Sequence, residues 1–248
     1  MSVQTLPTLR FTGVEKTFPD GTVALRDVDL SVAPGDFVTV VGPSGCGKST
    51  LLRIASGLTK ASSGSCEVTA SRLGYVFQDA TLLPWRDVQG NVELLAELHG
   101  IGRTDRIAAA RAAIDLVGLT GFERHLPRAL SGGMRMRVSL ARALTLEPEL
   151  FLFDEPFGAL DEITRERLND ELLRLFSAKG FGALFITHSV SEAVYLSTRV
   201  LVMSGRPGRI VADFAVPFGP SRTPELRFTP EFADLAGQVS AALRGAHS

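Results

Sequence analysis

An α/β fold with a mainly parallel sheet core is predicted by three features of the chain. Short apolar, β-branched runs alternate with helical stretches, and strands separated by helices pair in parallel. One run feeds a glycine-rich loop that opens a helix. A mainly helical stretch, about residues 86–145, interrupts the alternation and reads as a subdomain inserted into that core.

The first strand runs are residues 9–14, 28–32 and 37–41, divided by turns at Pro19-Asp20-Gly21 and Pro34-Gly35. Residues 48–56 follow as a helix stopped by Gly57, and residues 73–77 form another short strand before the polar turn Gln78-Asp79. In the helical stretch, residues 106–117 set Ile107, Ile114 and Val117 near one face, and residues 134–144 make a second helix. Strand signals return at 150–153, 183–187, 199–203 and 209–216. Between the first two of these, a helix carries Leu168, Leu172, Leu175 and Phe176 on one stripe and stops at Gly180. Four prolines in residues 217–230 indicate a linker to a short last helix.

Composition narrows the function classes. The 248 residues allow one large domain or two small ones, and a chain of this size buries roughly 70–75% of its unfolded surface. A formal net charge of −1 gives no general attraction to nucleic acid or anionic lipid, and nucleic acid is not an expected partner. Cys46 and Cys66 form no CxxC pair and read as reduced thiols. His99, His125, His188 and His247 lack metal-site spacing. No apolar run approaches the roughly 18–20 residues that cross a bilayer, and the N-terminal residues lack a signal-peptide pattern. A soluble chain is expected, with any membrane role exercised through a partner.

Gly42-Pro43-Ser44-Gly45-Cys46-Gly47-Lys48-Ser49 fits the phosphate-loop pattern in its required place, after a strand and before a helix that continues with Thr50. The glycines let backbone N–H groups turn inward on phosphate oxygens, and the helix start adds partial positive charge. Lys48 is equipped to reach the β- and γ-phosphates, and the Ser49 hydroxyl to ligate Mg²⁺. Asp154 ends a hydrophobic strand and is the expected metal carboxylate. Strand alternation points Glu155 elsewhere, which suits a base for an attacking water. His188 also follows an apolar strand, from which its imidazole can donate to a γ-phosphate. Gln78, after a strand of its own, can touch the metal or the water. Ser131-Gly132-Gly133 opens a helix and forms a second anion-binding start, too far along the chain for the same cradle.

Together these motifs resemble the ATP-binding-cassette (ABC) ATPases over about residues 8–215. Leu130-Ser131-Gly132-Gly133 is similar to the family signature and Gln78 to its glutamine loop. Asp154-Glu155 matches the Walker B pair, Ala159-Leu160-Asp161 the D-loop and His188 the switch histidine. Phe18 stands where the family places an aromatic ring against adenine. The resemblance implies a P-loop NTPase of the ABC cassette form, with a mainly parallel sheet core, an N-terminal antiparallel β region and an inserted α-helical subdomain. It implies a single ATPase domain over residues 1–248, with the helical subdomain at about 86–145 and a linker and short helix at 217–248. It implies ATP and Mg²⁺ as ligands, and a head-to-tail dimer in which Ser131–Gly133 of one copy caps ATP on the other copy's phosphate loop. Asp161 joins the nucleotide-facing set on the same ground.

Leu82-Leu83-Pro84-Trp85, the run 130–137, Asp161-Glu162-Ile163-Thr164-Arg165 and the segment 204–210 are similar to importers of the nitrate/sulfonate/taurine class. An ATPase peripheral to the cytoplasmic face of the cell membrane is therefore expected, bound to integral membrane permease subunits and, indirectly, to a periplasmic or surface solute-binding protein. An exporter ATPase, or a soluble cassette ATPase outside transport, is the alternative. Met134, Ser189 and Phe18 depart from the usual glutamine, aspartate and tyrosine. Arg135, Arg137 and Arg142 read as a solvated helix face, with a minor electrostatic role at the nucleotide as the alternative; Trp85 reads as a core residue, with a contact near the groove that receives a membrane partner's helix as the alternative; and Cys46 reads as a small filler.

Overall fold

The computed structural model describes residues 6–158 and 160–246. Ala159 of the D-loop, His247 and most of the N-terminal stretch judged for a signal peptide lie outside the described residues.

Among the described residues the strands are β1 (Leu9–Thr17), β2 (Val23–Val32), β3 (Phe37–Val41), β4 (Ser63–Val68), β5 (Leu73–Val76), β6 (Leu150–Asp154), β7 (Gly182–Thr187), β8 (Arg199–Met203) and β9 (Ile210–Ala215). The α-helices among them are α1 (Lys48–Ala55), α2 (Val88–Leu98), α3 (Arg103–Leu116), α4 (Gly132–Leu144), α5 (Glu162–Lys179), α6 (Val190–Leu196) and α7 (Pro230–Gly245). The central sheet runs β5-β6-β7-β3-β8-β9 and is parallel except at β9. A separate antiparallel sheet runs β2-β1-β4.

Strand periodicity divides the interior in two. Phe151 and Phe153 of β6 point to one face of the central sheet, and Leu150 and Leu152 point to the other. Phe37 and Val41 of β3 likewise oppose Val38 and Val40. The first face meets α4, α5 and α6 in a core centred on phenylalanines, with Phe37 and Phe176 edge-on at 5.2 Å. The second face meets α1 and the antiparallel sheet through Leu51, Leu52, Phe11 and Val14. A sheet covered on both sides needs continuous apolar strands, which explains the runs in β3, β6 and β7.

Two strands are longer than their apolar runs indicate, because β1 and β2 extend each other by pairing out to Thr17 and Val23. β4, Ser-Gly-Ser-Cys-Glu-Val, has almost no apolar signal and is largely exposed; its pairing with β1 makes it a strand. The C-terminal region departs furthest from expectation. Pro224–Phe228 forms a 3₁₀ turn, and the last helix, expected to be short, has 16 residues. Pro230 lies in its first turn, where a missing N–H costs nothing. Thr229 caps it by accepting the Phe232 N–H at 3.3 Å. Phe232, Leu235 and Val239 are buried in the first core. Phe232→Ala is expected to lower the free energy of unfolding by about 3 kcal/mol, measured by urea denaturation; an unchanged midpoint would mean that α7 is a detachable tail.

Among the described residues, no helix is long and apolar enough to cross a membrane. Trp85 is not a core residue: 74% of it is exposed beside α2. The loop carrying it is held by Asn91, which donates to Leu83 O and Arg86 O, so backbone anchoring leaves the indole facing outward.

Candidate nucleotide site

The site forms where three neighbouring parallel strands end. β6, β7 and β3 lie side by side, so residues after their C-termini converge although they are far apart in sequence. The phosphate loop follows β3, Asp154 ends β6 with Glu155 next after it, and His188 follows β7.

Gly47 caps α1 with φ 114°, and a Cβ there would sit 2.7 Å from Leu25 Cδ2 and 2.8 Å from Ala24 O. Only glycine meets both conditions at this position. Ser44 and Gly45 are exposed, Pro43 and Thr50 half-buried, and Gly42 and Cys46 buried. Burial pushes the Cys46 thiol up, so it is not poised as a nucleophile, and it fills space in the second core.

Lys48 is 5% exposed. Its Nζ donates to Gly42 O and Pro43 O, each at 2.9 Å, and lies 3.6 Å from Glu155 Oε1. Glu155 Oε2 is 3.0 Å from His188 Nδ1. Glu155 thus bridges a buried ammonium and an imidazole whose side chain is 53% exposed. Its backbone has φ 44°, in the left-handed region, while its N–H still pairs with Ile186 O at 3.0 Å. That turn separates Glu155 from Asp154 more decisively than the strand alternation expected from sequence.

The Ser49 hydroxyl donates to Asp154 Oδ1 at 2.9 Å. Burial, helped by the nearby Glu155 charge, raises the Asp154 carboxyl, and the Ser49 hydrogen bond opposes the rise. One hydroxyl and one carboxylate in contact form an oxygen donor set suited to a hard divalent cation whose shell is completed by phosphate oxygens and water. Gln78 is exposed two residues beyond β5, the strand paired with β6.

Phe18 is half-buried against the second core, with Lys16 Nζ 5.3 Å from the ring centre. Asp161 caps α5 by accepting the Thr164 N–H at 3.0 Å, a contact that holds its carboxyl below the usual range.

Ser131 and Gly132 are exposed at the start of α4, away from the Lys48–Glu155–His188 cluster in the contacts they make. Ser131 Oγ accepts the Met134 N–H at 3.2 Å. Gly133 is buried, and a Cβ there would lie 2.8 Å from Thr164 Cγ2. Its small size lets α4 approach α5.

Two arginines are placed unlike the sequence reading. Arg142 is buried, not part of a solvated face. It donates to Thr81 O at 3.0 Å and Ala80 O at 3.1 Å, fastening the segment after Gln78. The α4 periodicity puts it on the inner face, where unpaired loop carbonyls satisfy its guanidinium. Arg137 is also largely covered and donates to Val117 O at 3.3 Å, whereas Arg135 is exposed. Arg206 Nε and Nη2 donate to Gly45 O at 3.1 and 2.8 Å, bracing the phosphate loop. The segment 204–210 had signalled lineage alone; no local pattern ties it to Gly45.

Residues 25–158 match the family described as ABC transporter. The chain is 44% identical over 240 residues to an ATP-binding protein of Brucella suis biovar 1 (strain 1330), covering 94% of this chain and 92% of that one. It is 45% identical over 237 residues to the taurine import ATP-binding protein of Yersinia pestis bv. Antiqua (strain Antiqua), covering 88% and 92%. A dimeric ATP-binding cassette in a post-hydrolysis state, bound to ADP and Pi, superposes with a TM-score of 0.74 at 29% identity, covering 85% of this chain and all of that one.

Proposed function

Because the chain belongs to the ABC transporter family, we propose that it is the ATP-hydrolysing subunit of an importer for a small nutrient of the nitrate, sulfonate or taurine kind. The single observation that carries the import reading is the 45% identity to a taurine import ATP-binding protein across most of both chains. The ATPase activity belongs to the family; the solute and the direction are the proposal.

The chemistry assigns each side chain a task. The phosphate-loop N–H groups and Lys48 bind the β- and γ-phosphates, phosphate oxygens taking over from the Gly42 and Pro43 carbonyls. Ser49 and Asp154 would hold Mg²⁺, with Gln78 as a further candidate ligand. When bound, the ion neutralises charge on the phosphates. Glu155 orients and deprotonates the attacking water, and His188 holds the carboxylate and hydrogen-bonds the γ-phosphate. Phe18 supports adenine.

The chain works as a head-to-tail dimer, a reading supported by the dimeric cassette it resembles. Ser131–Gly133 of one copy then faces the γ-phosphate on the other, and Asp161 lies at the junction. Closure excludes water from a site that neither copy encloses alone. The helices over residues 88–144 and the Gln78 segment, fastened by Arg142, pass the motion to separate permease subunits at the cytoplasmic membrane face, and a solute-binding protein delivers the cargo.

Affinity purification from membranes should recover a multi-spanning permease. Uptake of labelled taurine, another sulfonate or nitrate should fall to background when the chain is deleted. Recovery with a permease but continued uptake, accompanied by loss of solute efflux, would identify an exporter. Recovery of soluble partners alone would remove the transport reading.

A further inference from the structure

Beneath the loop that carries His188 lies a carboxylate with no part in the hydrolysis just described. Glu192, in the first turn of α6, is 5% exposed. Its Oε2 accepts a hydrogen bond from the Thr187 hydroxyl. The same hydroxyl oxygen accepts the Ser189 N–H at 3.0 Å, and Ser189 Oγ accepts the Glu192 N–H at 3.3 Å. The residues on both sides of His188 are thus tied into one network, while the imidazole above it is half exposed.

From α5, Arg165 and Asn169 lower the Glu192 carboxyl, whose burial otherwise pushes it up. Among the described residues, Glu192 Oε1 and Asn169 Oδ1 are buried without a hydrogen-bond partner. A buried carboxyl that is only partly satisfied costs stability, and an apolar side chain of similar volume is often as stable or more so. Stability alone gives little reason for Glu192 at this position.

We infer that Glu192 is a positioning residue that fixes the His188 loop through the Thr187 hydroxyl and the Ser189 cap, and so holds the imidazole where it meets Glu155. The inference rests on the role given to His188 under the proposed function.

Steady-state ATP hydrolysis by the full chain tests it as a mutant cycle. Glu192→Gln, which keeps the side-chain shape, is expected to hold KM for ATP within about twofold while kcat falls about tenfold. His188→Ala should fall at least as far. The double variant should be no slower than His188→Ala alone, because Glu192 acts through the histidine. Should Glu192→Gln fail to fold, Thr187→Val removes the same hydrogen bond and is expected to show the same loss.

An unchanged kcat in Glu192→Gln, or in Thr187→Val where it stands in, overturns the inference, as does a double variant slowed by the product of the single effects. Full turnover in His188→Ala removes the histidine's role and the inference with it. An impaired His188→Ala beside a fully active Glu192→Gln defeats the inference alone.

Discussion

Glu155→Gln retains ATP and loses turnover by about a hundredfold or more. The carboxylate lies between Lys48 Nζ at 3.6 Å and His188 Nδ1 at 3.0 Å, on a left-handed turn that aims it away from Asp154. Glutamine keeps its volume and its contact with the imidazole but cannot take a proton from water. Lys48, its contacts to the loop carbonyls and the Ser49–Asp154 pair are untouched, so nucleotide affinity persists. One negative charge beside the triphosphate is also removed, which favours the closed, ATP-loaded dimer. Phosphate release under single-turnover conditions, equilibrium ATP binding and size-exclusion chromatography with and without ATP provide the three readings. Wild-type turnover would exclude Glu155 as the base, whereas lost binding would make it a structural partner of Lys48.

The second large effect follows from the proposed division of the site between two copies. Lys48→Ala removes a buried ammonium that engages two carbonyls and Glu155, and ATP binding should weaken by about 2 kcal/mol or more, roughly thirtyfold. Ser131→Arg acts differently. Ser131 is exposed and caps α4, so losing the cap costs about 1 kcal/mol and the fold survives. The bulky cation obstructs the face offered to a partner, so the variant binds ATP on its own phosphate loop but does not hydrolyse it. Mixing the two inactive variants creates dimers with one intact site, made from the phosphate loop of the Ser131→Arg chain and the α4 start of the Lys48→Ala chain. The mixture should hydrolyse ATP well above either parent. Two inactive parents that stay inactive when mixed, despite forming mixed dimers, would count against a shared site.

Legibility in the sequence varied with the range of the interaction. The helix α5 was readable because Leu168, Leu172 and Phe176 repeat at helical spacing and are buried as one stripe. β4 was not, because its residues are mostly exposed and polar and only pairing with β1 makes them a strand. α7 was read as too short because prolines dominate the approach to it, although Pro230 is compatible with a first helical turn. Arg142 looked like a solvated charge for a related reason: its partners, the carbonyls of Ala80 and Thr81, belong to a distant loop.

The sequence by itself determined the local chemistry: a strand–glycine-loop–helix unit ending in Lys48-Ser49, an apolar strand ending in Asp154-Glu155, and a helix start capped by Ser131. Such features depend on spacings of a few residues and on backbone conformations that few residue types adopt. The tertiary structure alone decided that Glu155 joins Lys48 to His188 and that Arg206 braces Gly45. Those contacts depend on the strand order β6-β7-β3-β8. Strand order is a property of the whole folded chain, set by the joint burial of two cores, and no short spacing encodes it.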